Sequence, residues 1–209
     1  MSISKLFFWP SLGIVLVACG NNAGTDPVED ANHPPSIGGT PLQQIIVGST
    51  FSFTPTASDS DGDTLSFEIE NKPAWADFDP QNGALTGTPD ESRIGTTSGV
   101  VIRVSDGTST VELAPFDLTV AYGSASLSWV APSSRSDNSA LPLSEIGGYR
   151  VYYGPSEDQL VLLASIDDAS VTQYTANSLA AGTHYFAVTS YDVQGGESAL
   201  SNIGGKTLP

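Results

Sequence analysis

Apolar residues recur at every second position in short runs along most of the chain. Phe51 and Phe53, then Leu65, Phe67 and Ile69, then Val100, Ile102 and Val104, then Phe116, Leu118 and Val120 each alternate with polar neighbours. That period belongs to strands buried on one face. The turn pairs Asp61-Gly62, Asn82-Gly83 and Asp106-Gly107 fall between the runs, at spacings that suit antiparallel strands in a sandwich. A second series follows Tyr122-Gly123. Ala125, Leu127 and Trp129 alternate with serines, Tyr149, Val151 and Tyr153 form the next clear strand, Leu160 to Leu163 is an apolar run, and Tyr185 to Tyr191 is a further strand. No stretch has the 3.6-residue period of an amphipathic helix. The expected fold is therefore all-β, two tandem sandwiches over 34–122 and 124–208, with almost no linker between them. Trp75 and Phe78 are expected to plug the first core. In the strand from Tyr185 two faces compete, and Tyr185, Ala187 and Thr189 are expected inward over Phe186 and Val188.

The N-terminal pattern is different. Leu6 to Ala18 is an apolar run broken by Pro10 and preceded by Lys5. It is shorter than the roughly 20 residues that cross a bilayer, so it reads as a cleavable export signal, residues 1–18. Its last residues, Leu16-Val17-Ala18-Cys19, resemble the lipobox of bacterial lipoproteins. The resemblance implies that Cys19 is lipidated and becomes the first residue after cleavage; an ordinary signal peptide containing a Cys is the alternative. Two or more acyl chains anchor stably, since each buried methylene contributes about 0.8 kcal/mol. The membrane is then a partner through Cys19. Gly20 in the following position implies the outer membrane if the source has one. Residues 19–33, rich in turn formers and acids, read as a flexible tether reaching about 20 Å.

Charge narrows the partners. A formal net charge of −16 with only 7 Lys+Arg argues against nucleic acid and anionic membrane surfaces, and for cations or basic surfaces. The single Cys is Cys19, so neither an intramolecular disulfide nor a cysteine zinc site is expected.

Asn32-His33-Pro34-Pro35, Asp59 through Asp63, Leu65-Ser66-Phe67, Pro73-Ala74-Trp75, Gly83-Ala84-Leu85, Gly87-Thr88-Pro89 and Val104-Ser105-Asp106-Gly107 resemble the bacterial cadherin-like, immunoglobulin-type domains. Such domains usually occur as repeats in adhesive surface proteins, and a single copy is present here. Trp129, Gly148-Tyr149, Leu179, Gly182-Thr183, Tyr185, Glu197-Ser198 and Ser201-Asn202 resemble a fibronectin type III domain. That resemblance implies a tyrosine corner at Tyr185, its hydroxyl bonded back to nearby backbone.

Catalytic constellations are sparse. Of two histidines, His33 lies in the tether and His184 is expected at an exposed strand position. No Gly-x-Ser-x-Gly elbow occurs, and Ser2-Ile3-Ser4-Lys5 belongs to the signal. Asp59-Ser60-Asp61-Gly62-Asp63 carries the clearest chemistry, because carboxylates at alternate positions around a glycine turn can converge on Ca²⁺. It is not an EF-hand loop: Thr64 stands where glycine is required, and Leu65, Phe67 and Ile69 alternate through the rest. In an immunoglobulin-like sandwich the chain entry and two loops share one pole, which gathers Asp30, Asn32, Asp59, Asp61, Asp63 and Asp106 as candidate calcium ligands. A solvated acidic turn is the other reading. The expected function is a non-enzymatic, lipid-anchored envelope protein for adhesion, binding or spacing, with an unidentified protein or glycan ligand. Two rivals stand beside it. An accessory carbohydrate-binding protein would need exposed aromatics such as Tyr152 and Phe186; an enzyme would need a pocket of convergent acids.

Overall fold

The computed structural model describes residues 31–209. The expected export signal, Cys19, most of the expected tether and Asp30 lie outside the described residues.

Proline and the period-two pattern together set the strands of the first sandwich. In chain order they are β1 (Ser36–Gly38), β2 (Gln44–Ile46), β3 (Phe51–Phe53), β4 (Thr56–Ser58), β5 (Ser66–Glu70), β6 (Ala76–Phe78), β7 (Leu85–Gly87), β8 (Gly95–Ser105), β9 (Thr110–Glu112) and β10 (Phe116–Ala121). Pro55 separates β3 from β4, as expected of a residue that cannot donate to a ladder. One sheet runs β3-β7-β6; the other runs β2-β10-β8-β5 with β9 added as a hairpin on β8, and β1 pairs with β4. All these pairings are antiparallel except β2 on β10. Between the sheets lie Phe51, Phe53, Phe67, Leu85, Val100, Ile102, Val104, Phe116 and Leu118, so the alternating positions face one core. Trp75 is partly buried against it and meets Phe51 edge-on at 5.6 Å, a packing role.

β10 passes through Tyr122 directly into β11 (Gly123–Ser128). The turn is close-packed. A Cβ on Gly123 would lie 2.6 Å from Leu208 Cδ1 and 3.2 Å from Ile46 Cδ1. Ile46 packs on the second core, and the Ala181 N–H donates to Val47 O at 2.8 Å. The sandwiches thus share a hydrogen bond and an apolar seam.

The second sandwich continues with β12 (Ile146–Gly154), β13 (Val161–Ile166), β14 (Gln173–Leu179), β15 (Gly182–Asp192) and β16 (Gly204–Leu208). A four-stranded sheet, β13-β12-β15-β16, faces a two-stranded one, β11-β14. Ala125, Ala176, Leu179, Phe186 and Leu208 form the core, with Leu127, Tyr153 and Tyr174 against it. Among the described residues the helical elements are two single-turn 3₁₀ segments, Glu91–Arg93 and Leu143–Glu145. No described helix is long and apolar enough to cross a membrane.

The inward face of β15 is the reverse of the expected one. Val151 pairs with Val188 and Tyr153 with Phe186, so Phe186 shares the inner face of β12 and is 5% exposed. Tyr185 lies on the opposite face, half-buried across from Gly205. A tyrosine hydroxyl does bond back to backbone, but it is that of the fully buried Tyr149, which donates to Ala169 O at 3.1 Å. His184 goes inward with Phe186 and is 7% exposed, not the surface position expected of it. Burying the phenyl ring outweighs orienting a phenol whose hydroxyl needs a partner. The pattern misled because the outer face is covered too. Glu197 accepts from Tyr152 Oη and Thr189 Oγ1, both at 2.6 Å, and pairs with Arg150, which leaves Ala187 and Thr189 buried.

Candidate metal centre

The acidic turn between β4 and β5 is built by its first carboxylate. Asp59 Oδ1 accepts from the N–H groups of Asp61, at 2.8 Å, and Asp63, at 3.2 Å. Such a side-chain-to-backbone turn is a habit of Asp. Gly62 has φ +81 with open space around it, which lets the chain reverse at that point. As a result Asp59, Asp61 and Asp63 each bring a carboxylate oxygen within 4.8 Å of the others.

Chain entry is fastened to the same pole. His33 N–H donates to Asp61 Oδ2 at 2.7 Å, and its Nδ1 lies 2.8 Å from Asp61 Oδ1. Asn32 Nδ2 donates to Asp106 Oδ2 at 3.0 Å and to Ser109 Oγ at 3.1 Å. Asp106 Oδ1 in turn accepts from the N–H groups of Thr108 and Ser109, both at 2.6 Å. The His33 N–H, then its ring, hold the Asp61 carboxyl below its ordinary value, and the neighbouring charge of Asp106 works against them. Asp106 is held low as well, chiefly by the Ser109 N–H. Both remain ionised where the pole is needed as an anionic cluster.

Of the predicted ligands, Asp59, Asp61 and Asp63 converge. Asp106 sits beside them, tied to Asn32, whose amide nitrogen is the atom turned to the carboxylate. His33 was not foreseen as part of the site. Its position next to Asn32 and ahead of two prolines was the available signal, but a partner 28 positions away is invisible to local pattern. One atom matters for the chemistry. Asp59 Oδ2 is buried and, among the described residues, without a hydrogen-bond partner. A carboxylate oxygen withdrawn from water is costly unless something positive meets it. The donor set is oxygen only and anionic, which suits a hard cation such as Ca²⁺.

The rival sites fare differently. Phe186 is buried and the Tyr152 hydroxyl is engaged by Glu197, so that pair forms no sugar-stacking platform. No aromatic among the described residues falls in the exposed class. A cleft of about 700 Å³ opens beside β11 and is lined by Ser124 to Val130, Phe186 to Val188, Ser201, Asn202 and Gly204 to Lys206, with no carboxylate or histidine.

These features define tandem β-sandwiches of immunoglobulin-like type. Residues 34–121 match the family model described as "Putative Ig domain". No curated protein matches the chain. Solved structures similar to it include human Protocadherin-24 EC1-2, at 16% identity over 84% of this chain and 96% of that one, TM-score 0.34. The fibronectin(III)-like modules of Clostridium thermocellum CbhA align at 12% identity over 83% and 93%, TM-score 0.33. Titin domains A168–A170 align at 15% identity over 84% of this chain, which spans 66% of that segment, TM-score 0.32.

Proposed function

We propose that the chain is a non-enzymatic, lipid-anchored module of the cell envelope, serving adhesion, binding or spacing, whose first sandwich takes Ca²⁺ at Asp59, Asp61 and Asp63. The observations that carry the metal reading are the convergence of the three carboxylates within 4.8 Å and, on one of them, the buried, unpartnered Asp59 Oδ2. Bound there, the ion would neutralise carboxylates that otherwise repel one another and brace the turn into β5. Affinity in the range of extracellular calcium modules, about 10⁻⁴ to 10⁻³ M, suits an envelope address. The seam between the sandwiches supports a spacer role, since a hydrogen-bonded and apolar junction resists swivelling.

The test is thermal unfolding of the full chain with Ca²⁺ or chelator, in wild type and in Asp61→Ala with Asp63→Ala. At about 100 times Kd the ion contributes about 2.7 kcal/mol, a rise in Tm of roughly 5 to 11 °C. The variant should keep none of that increment. Equal Tm with ion and chelator in the wild type would leave a solvated acidic turn. Anchoring is tested separately by metabolic labelling with a fatty-acid probe. Wild type should take up label and Cys19→Ser should not; an unlabelled wild type sinks the lipoprotein reading.

A further inference from the structure

β13 ends the four-stranded sheet, and only its β12 side is paired. Edge strands are ordinarily blunted by lysine, proline, shortness or a covering loop, because a row of unpaired backbone groups invites another chain. β13 uses neither lysine nor proline, and its one protective irregularity is a single bulge at Leu163. Its six residues, Val-Leu-Leu-Ala-Ser-Ile, contain no charge and no proline. The opposing sheet has only two strands and leaves the end of this one bare. Val161 is 64% exposed, Leu162 53% and Leu163 41%. Partners on β12 jump from Ala164 to Leu162, which makes Leu163 a bulge residue. The bulge leaves two adjacent leucines in solvent. Three consecutive large aliphatic side chains beside an open ladder form an interaction surface, not scattered exposure.

The flanks decide what can occupy it. Glu157 and Asp158 precede the strand, Asp167 and Asp168 follow it, and all four are exposed. The cation on the neighbouring strand, Arg150, is already paired with Glu197 and stacked 4.9 Å from the Tyr191 ring centroid. A second copy pairing antiparallel would set Glu157-Asp158 of each against Asp167-Asp168 of the other, and a parallel pairing would set like on like. Either way acids face acids, which is destabilising across paired strands. We propose that β13 receives an extended segment of another protein, apolar in its middle and carrying Lys or Arg at both ends, as an added strand of the sheet. Backbone hydrogen bonds and the contacts with Val161, Leu162 and Leu163 hold it, and the acids select it and speed its arrival. Because both ends of the strand are acidic, the segment fits in either direction. The surface lies in the second sandwich and is independent of the metal reading.

The probe is a fluorescent nonapeptide of alternating Val and Thr with two lysines at each end, titrated into the full chain and followed by anisotropy. Saturable binding that weakens with salt is expected, with no binding of the same peptide ended in glutamates. Val161→Ser with Leu162→Ser leaves the charge unchanged and should weaken binding by about tenfold or more, since it removes two apolar contacts. Asp167→Asn with Asp168→Asn should weaken it and flatten the salt dependence. Unchanged Tm in both variants, whose altered side chains are exposed, separates lost contact from lost fold. Four results would overturn the proposal: no saturable binding, equal binding of the glutamate-ended peptide, binding indifferent to Val161→Ser with Leu162→Ser, or a sedimenting dimer that this double substitution abolishes. The last would make a second copy the occupant.

Discussion

Phe186→Ala paired with Tyr185→Ala tests which face of β15 holds the second sandwich together. Phe186 is 5% exposed, packs among Ala125, Ala176, Leu179 and Leu208, and lies with its ring centroid 5.4 Å from that of Tyr153. Truncating a core Phe to Ala typically costs about 3 to 5 kcal/mol. Two considerations pull within that range. The cluster includes two alanines, whose short side chains cannot extend into the vacated space, beside Leu179, Leu208, Tyr153 and Tyr174. Phe186 also lines the open cleft beside β11, so water can reach the vacated volume and the void is not sealed. The second effect is the larger, and the expected loss is about 3 kcal/mol. At roughly 2 to 4 °C per kcal/mol for a chain of this size, Tm should fall by about 6 to 12 °C. Tyr185 is half-buried on the other face, and its truncation should cost about 1 kcal/mol. Urea unfolding decides between them through the midpoints at unchanged slope. A Tyr185→Ala loss equal to or above that of Phe186→Ala would mean that the face assignment is reversed.

Gly83→Ala should destabilise by about 2 to 3 kcal/mol in the same assay, because its φ is +72 and a Cβ would lie 2.7 Å from Phe67 Cδ1 and 2.9 Å from Pro55 Cγ. Gly62→Ala, with φ +81 but open space, should lose only about 1 kcal/mol; equal losses would refute the steric account. Asp61 has its carboxyl depressed by the His33 N–H, so its contribution to docking of the chain entry is complete above the ordinary carboxyl value of about 3.9 and is lost as pH falls through the lower, folded value. The Asp61 side-chain carboxyl, followed by NMR, should therefore titrate below the ordinary carboxyl value, and a carboxyl titrating at or above that value would refute the docking.

Where one face of a strand meets one core, residue pattern was enough. Phe51 and Phe53, or Val100, Ile102 and Val104, alternate because solvent takes the other face, and each was read correctly. β15 defeated the same reasoning. Glu197, sequestering Thr189 and Tyr152 from the far side, buries a face that period two assigns to solvent, and a cover contributed from outside the strand leaves no mark on the strand itself. Leu160 to Leu163 was legible as an apolar run but not as an exposed one. An apolar run is what a strand covered on both faces would carry, yet here the opposing sheet stops short of it. Within the acidic turn the spacing of Asp59, Asp61 and Asp63 was legible because the contacts are local. The fastening of Asn32 was legible only as a shared pole and that of His33 not at all, since they join residues 74 and 28 positions apart.

How the pole tolerates its own charge bears on what calcium would change. Asp59 gives Oδ1 to the backbone of its own turn, Asp61 meets His33 with both oxygens, and Asp106 divides its oxygens between the Thr108-Ser109 backbone and Asn32. Backbone and amide donors thus offset much of the repulsion. What remains unmet is Asp59 Oδ2, with the Asp63 carboxylate in the same cluster. A cation satisfying these can displace the His33 ring from Asp61 Oδ1 while the His33 N–H stays on Oδ2, because the two bonds use different oxygens. Calcium would then act mainly as a brace on the turn between β4 and β5, raising the melting temperature of the first sandwich more than it orders the segment that precedes it.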